Sequence, residues 1–256
     1  MLLSAALTVA ALVNPCADPA RTVVCPDLTM RQPYGMRLIV TGRRRVLAAT
    51  NAIVNTGDGP LEVRARRRNI GEDQMTARQV LRPRTPGGAA QLLPATGTVD
   101  FFDTRTRGRY WKYQAAASFT LRGIGPGGTL GRIRRTGPKV DYCFRDLRRV
   151  NRLDTATPYA HSPRGRIFGA CSTTAGALGL TLGTSVGWAD IYPWDYPQNA
   201  IDVTGLAGCF LYTLKADPRD ELRELREDNN SGSRVVRLPW TGASTRGCLE
   251  PDRRPG

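Results

Sequence analysis

At 256 residues the chain has room for one good core or two small ones, and its 41% hydrophobic content is that of an ordinary soluble globular protein. Its formal charge of +15 is carried by arginine, since only Lys112, Lys139 and Lys215 among the 37 basic residues are lysine. That skew reads as codon usage in a GC-rich genome; a polyanion partner is the functional alternative, but no recognition helix or nucleic-acid motif accompanies the charge.

The first residues, Met1 to Val13, form an apolar run of leader-peptide length, too short to span a bilayer. Thr8 and Ala10 are small residues suited to a cleavage site, and residues 1–15 read as a signal peptide ahead of a folded part over 16–256. Six cysteines in an exported chain read as up to three disulfides, with fifteen possible pairings. No Cys-x-x-Cys spacing points to zinc. There is also no Gly-x-Ser-x-Gly elbow, phosphate-binding glycine loop or His-Glu-x-x-His segment.

Past the leader, Arg37–Val40 and Arg45–Asn55 look like strands. Residues 56–60 (Thr-Gly-Asp-Gly-Pro) make a turn, and Leu61–Arg66 alternates apolar and charged. Gln91–Thr98 reads as a loop. Tyr110–Leu121 reads as extended, Gly123–Gly128 breaks the chain, and Val140–Phe144 alternates again. Ala200–Thr204, Cys209–Leu214 and Ser233–Leu238 are further strands. The one helical pattern is Arg219–Glu227, with Leu222 and Leu225 three apart. Many short strands between Gly- and Pro-rich turns predict an all-β protein, a single β-sandwich with long loops and no interdomain linker.

Several segments, in order, resemble the catalytic domain of the lysyl oxidase family in its short bacterial form. They are Cys25-Pro26-Asp27-Leu28, Asn55-Thr56-Gly57-Asp58-Gly59-Pro60-Leu61-Glu62, Lys139-Val140-Asp141-Tyr142-Cys143, Gly187-Trp188-Ala189-Asp190-Ile191-Tyr192, Ile201-Asp202-Val203-Thr204 and Asp228-Asn229-Asn230. Together they span about residues 25–240. The resemblance implies oxidation of primary amines to aldehydes with copper and lysine tyrosylquinone. By position, Lys139 and Tyr192 are the quinone pair. In that chemistry the quinone carbonyl forms a Schiff base with the substrate amine and accepts two electrons. The resemblance also pairs Cys143 with Cys171; by remainder, Cys16 joins Cys25 and Cys209 joins Cys248.

One part of the family pattern is missing. The family's copper ligands form a His-x-His-x-His segment, whose alternate residues share one face of a strand. This chain has one histidine, His161. An ungapped count back from Ser118-Phe119-Thr120-Leu121 puts Arg107, Arg109 and Trp111 at the ligand positions, and none of these is a usable copper ligand. That face reads either as a surface for an anion or sugar, extended by Arg105, or as a solvated charged strand with a core tryptophan. The expectation is therefore an exported or envelope-associated, copper-free member with no cofactor and an anionic envelope polymer or protein as partner. The alternative is an amine oxidase whose metal is held by His161, Asp103, Asp141 or Asp190.

Overall fold

The computed structural model describes residues 14–104, 108–150, 162–196, 198–242 and 245–248. Its strands in chain order are β1 (Val23–Val24), β2 (Leu28–Met30), β3 (Tyr34–Thr41), β4 (Arg44–Asn55), β5 (Leu61–Arg66), β6 (Gln74–Pro83), β7 (Gln91–Thr104) and β8 (Gly108–Ile124). They continue with β9 (Leu130–Thr136), β10 (Val140–Tyr142), β11 (Arg148–Arg149), β12 (Gly179–Thr184), β13 (Trp188–Tyr192), β14 (Ala200–Asp202), β15 (Gly208–Ala216) and β16 (Ser231–Leu238).

The protein is an all-β sandwich. The larger sheet runs β12-β5-β6-β7-β8-β15-β16, with β1 on β6 and with β9 and β10 on β8. The smaller runs β11-β13-β4-β14, with β2 and β3 also on β4. One apolar cluster joins them: Leu47, Ala49 and Ile53 of β4 pack with Val63, Met75, Phe119, Tyr212 and Val236 from the larger sheet. The two-residue period explains this, because alternate side chains of each strand share a face.

Three disulfides staple the sandwich: Cys16–Cys25, Cys143–Cys171 and Cys209–Cys248. Each closes a loop and restricts the unfolded chain, worth about 2–4 kcal/mol apiece. Among the described residues no helix is long and apolar enough to cross a membrane. Residues 1–13 of the expected leader lie outside the described residues. Asn14 is tied into the fold, its Nδ2 donating to Glu224 O and Glu227 Oε1, both at 3.1 Å.

Two expected elements differ. Gln91–Thr98 is the start of β7, not a loop; Pro94 and Gly97 suggest a break, but the strand absorbs them where its register with β6 shifts. Arg219–Glu227 is not a helix. Its backbone N–H groups go to tertiary acceptors: Leu222 N to Asp217 Oδ2, Arg223 N to Gln79 Oε1 and Leu225 N to Pro26 O. Leu222 is buried and Leu225 half-buried by those anchors, and no helical ladder forms.

The 56–60 turn shows how tightly the loops are set. Gly59 N donates to Cys25 O at 2.8 Å, and a Cβ on Gly57 would lie 2.6 Å from Asp27 N and from the Pro26 carbonyl carbon. Backbone cannot yield as a flexible side chain does. Gly57→Ala is expected to cost about 2–3 kcal/mol in urea denaturation; a loss under 0.5 kcal/mol would contradict this packing.

Candidate functional site

Tyr192 ends β13, where its pairing with Asn51 of β4 fixes its place. The ring is buried against Tyr142 (centroids 4.1 Å apart) and Tyr196 (4.7 Å), and its Oη accepts the Cys143 N–H at 3.0 Å. Burial, then the nearby Asp190 carboxyl, pushes the Tyr192 phenol well above its ordinary pKa. Tyr192 is therefore held as a neutral phenol at physiological pH.

The lysine against this ring is Lys112. Its Nζ is 4.1 Å from the Phe102 centroid, 4.5 Å from Tyr196, 5.3 Å from Tyr110 and 5.6 Å from Tyr192. Nζ donates to the Tyr196 hydroxyl and, at 3.3 Å, to Gln198 Oε1; the Tyr110 and Tyr196 hydroxyls are 2.8 Å apart. Lys112 is completely buried. Burial lowers its pKa to about 8, against the opposing pull of Asp141 and Asp190. The aromatic faces and hydroxyl oxygens make this a cage for an ammonium.

Lys139 does not enter the cage. It is exposed immediately before β10, while Tyr192 is bound through Cys143, four residues on.

The β7–β8 register decides the faces of β8. Phe102 pairs with Tyr110 and Phe101 with Trp111. Tyr110 and Lys112 point toward Tyr192 and Tyr196. Arg109 and Trp111 belong to the opposite face, where Trp111 Nε1 donates to Thr174 O at 2.9 Å and Arg67 lies 4.8 Å over its ring. Arg109 pairs with Asp103 at 3.0 Å and lies 5.7 Å from the Phe101 ring. Arg105, Arg107 and His161 lie outside the described residues. Between this stretch and Ser118 the strand is irregular: Ala115 has a φ of 51°, and the pairing with β10 shifts between Val140 and Tyr142.

Among the described residues the donor set does not fit copper. On the face turned to Tyr192 the strand offers a phenol and a caged amine, neither suited to replace imidazole. Of the carboxylates considered, Asp103 is exposed and paired with Arg109, and Asp141 Oδ1 accepts the Ala115 N–H at 2.7 Å. Asp190 is fully buried, and neither of its oxygens has a hydrogen-bond partner. Burial raises its pKa well above the usual carboxylate range, against the opposing pull of Arg145 and Lys112. Among the described residues no three His, Cys, Asp or Glu side chains converge as a metal site.

Beside the cage opens a cavity of about 440 Å³ lined by Tyr110, Tyr192, Tyr196, Arg145, Thr173 and Cys171 among others. The Cys143–Cys171 disulfide and Asp146 fix its rim. Asp146 accepts hydrogen bonds from Ile167 N (2.9 Å), Phe168 N (3.1 Å), Ser185 N (2.7 Å) and Ser185 Oγ (2.7 Å). Sequence reasoning missed Lys112, Tyr196, Arg145 and Asp146. A Tyr-x-Lys pair on a strand was the one available signal; nothing local marks Arg145. No protein-family model matches this chain, and no curated protein is similar enough to it to count as a relative.

Proposed function

We propose that this chain is an exported, copper-free protein of lysyl-oxidase type that serves as a binding or envelope-interaction protein. The observation that carries this reading is the Lys112 cage. An ammonium sits against Tyr192, on the strand to which the resemblance assigns the metal ligands. A cation there repels a metal ion, and the buried, neutral Tyr192 phenol is poorly set for oxidation to a quinone. Three disulfides suit an oxidising, extracytoplasmic compartment. The arginine excess favours an anionic partner, polymer or protein.

Copper exposure followed by desalting, metal analysis and a peroxide assay with primary amines tests the reading. The expected result is copper well below one per chain and no amine-dependent peroxide. One tightly held copper per chain with peroxide release would overturn it in favour of an amine oxidase with a non-standard metal site and a Lys139–Tyr192 quinone.

A further inference from the structure

The cavity beside Tyr192 is built for negative charge. Arg145 lines it half-buried and, among the described residues, has no hydrogen-bond or ion-pair partner. Asp190, the acid that acts on it, is fully buried, and burial raises its pKa well above the usual carboxylate range. Lys112 adds a second cation directly behind Tyr110 and Tyr196. A partly desolvated guanidinium with free donors is a planar fork that matches a carboxylate in two parallel hydrogen bonds. Around it stand three tyrosines, whose rings offer flat apolar surface with polar edges, the lining suited to a ring-shaped ligand. Thr173 adds a hydroxyl. A volume of about 440 Å³ falls within the range of small-molecule sites.

We propose that this cavity binds a small organic acid whose carboxylate is carried on a six-membered ring, with Arg145 holding the carboxylate and Tyr110, Tyr192 and Tyr196 flanking the ring. This assignment rests on the copper-free reading of the site, and it reverses the charge of the ligand that the resemblance implies, an amine. Two sources share the chemistry: a free aromatic acid, and a uronic acid such as terminates or decorates an anionic polysaccharide.

The test is calorimetric titration of the intact disulfide-bonded chain with 4-hydroxybenzoate and with glucuronate. The neutral 4-hydroxybenzamide and glucose serve as controls, inorganic phosphate as a general anion. At least one acid is expected to bind one per chain, roughly tenfold or more tighter than its neutral counterpart. The acid that binds identifies the source. Arg145→Gln is expected to lose that preference with an unchanged melting temperature, and Arg145→Lys to restore part of it. Acids that bind no better than the neutral compounds, or phosphate that binds as tightly as either acid, would overturn the proposal. So would undiminished acid binding by Arg145→Gln; if that variant misfolds, competition between acid and phosphate on the unaltered chain decides. Copper content of the same preparation separates the two readings. Failed acid binding without copper uptake removes only the ligand class, whereas stoichiometric copper removes the copper-free reading itself.

Discussion

Lys112→Met is expected to make the protein more stable by about 2 kcal/mol at pH 7, raising its melting temperature by roughly 4–8 °C. Lys112 is fully buried, with a pKa lowered to about 8 from an ordinary 10.5. For a base with a depressed folded pKa, the unfolded chain binds the proton more readily. Stability is therefore lost as pH falls from 10.5 to 8, and the penalty is complete below 8. That shift corresponds to about 3 kcal/mol. Methionine has similar length, no charge to desolvate, and a sulfur suited to aromatic surroundings. Against the gain stand the lost hydrogen bonds to Tyr196 and Gln198, about 1 kcal/mol each at most. The stability gap between variant and native chain should also narrow between pH 8 and 10. Urea denaturation at pH 6, 7, 9 and 10 measures both effects. A variant less stable at every pH would show that the ammonium is a net stabiliser and that its burial is not a cost borne for function.

Asp146→Ala is expected to destabilise the protein by about 3–5 kcal/mol, the larger effect in magnitude. One buried carboxylate accepts hydrogen bonds from three backbone N–H groups and the Ser185 hydroxyl. Alanine leaves these donors without their acceptor in a site 2% exposed. Because Ile167 and Phe168 run directly into the cavity rim at Ala170 and Cys171, the same variant should weaken ligand binding. Asn keeps an acceptor oxygen and should cost about half as much. An alanine variant within 1 kcal/mol of the native chain would contradict the network. Together the two variants separate a polar group that holds the fold from one that burdens it.

The sandwich was legible because its strands carry the two-residue period plainly. Gly208–Ala216 alternates in burial, with Phe210, Tyr212, Leu214 and Ala216 buried, and Leu61–Arg66 does so from Val63 onward. The false helix over 219–227 came from a real signal, two leucines three apart. Both are indeed anchored inward, but by contacts with Gln79, Asp217 and Pro26 that no local pattern announces. Pro94 and Gly97 misled in the other direction, since a bulged strand tolerates both.

The candidate site was less legible. The resemblance pointed to Tyr192 and paired Cys143 with Cys171, and the other two disulfides, paired by remainder, also form. The lysine beside Tyr192 could not be found this way, because alternation by itself does not report which face of β8 turns to the β13 tyrosine. Lys139 was singled out as a rare lysine, yet Lys112 is equally rare and is the one enclosed. Arg145 gained meaning only when the fold placed its half-buried guanidinium in a cavity with three tyrosines.

The most direct test is a peptide map, by mass spectrometry, of protein produced with copper present. In a copper-free protein the peptide containing Tyr192 has the mass of unmodified tyrosine, and the Lys139 and Lys112 peptides are recovered uncrosslinked. A crosslinked peptide joining Tyr192 to either lysine, with the mass of an oxidised ring, would contradict this and make the chain a quinone enzyme.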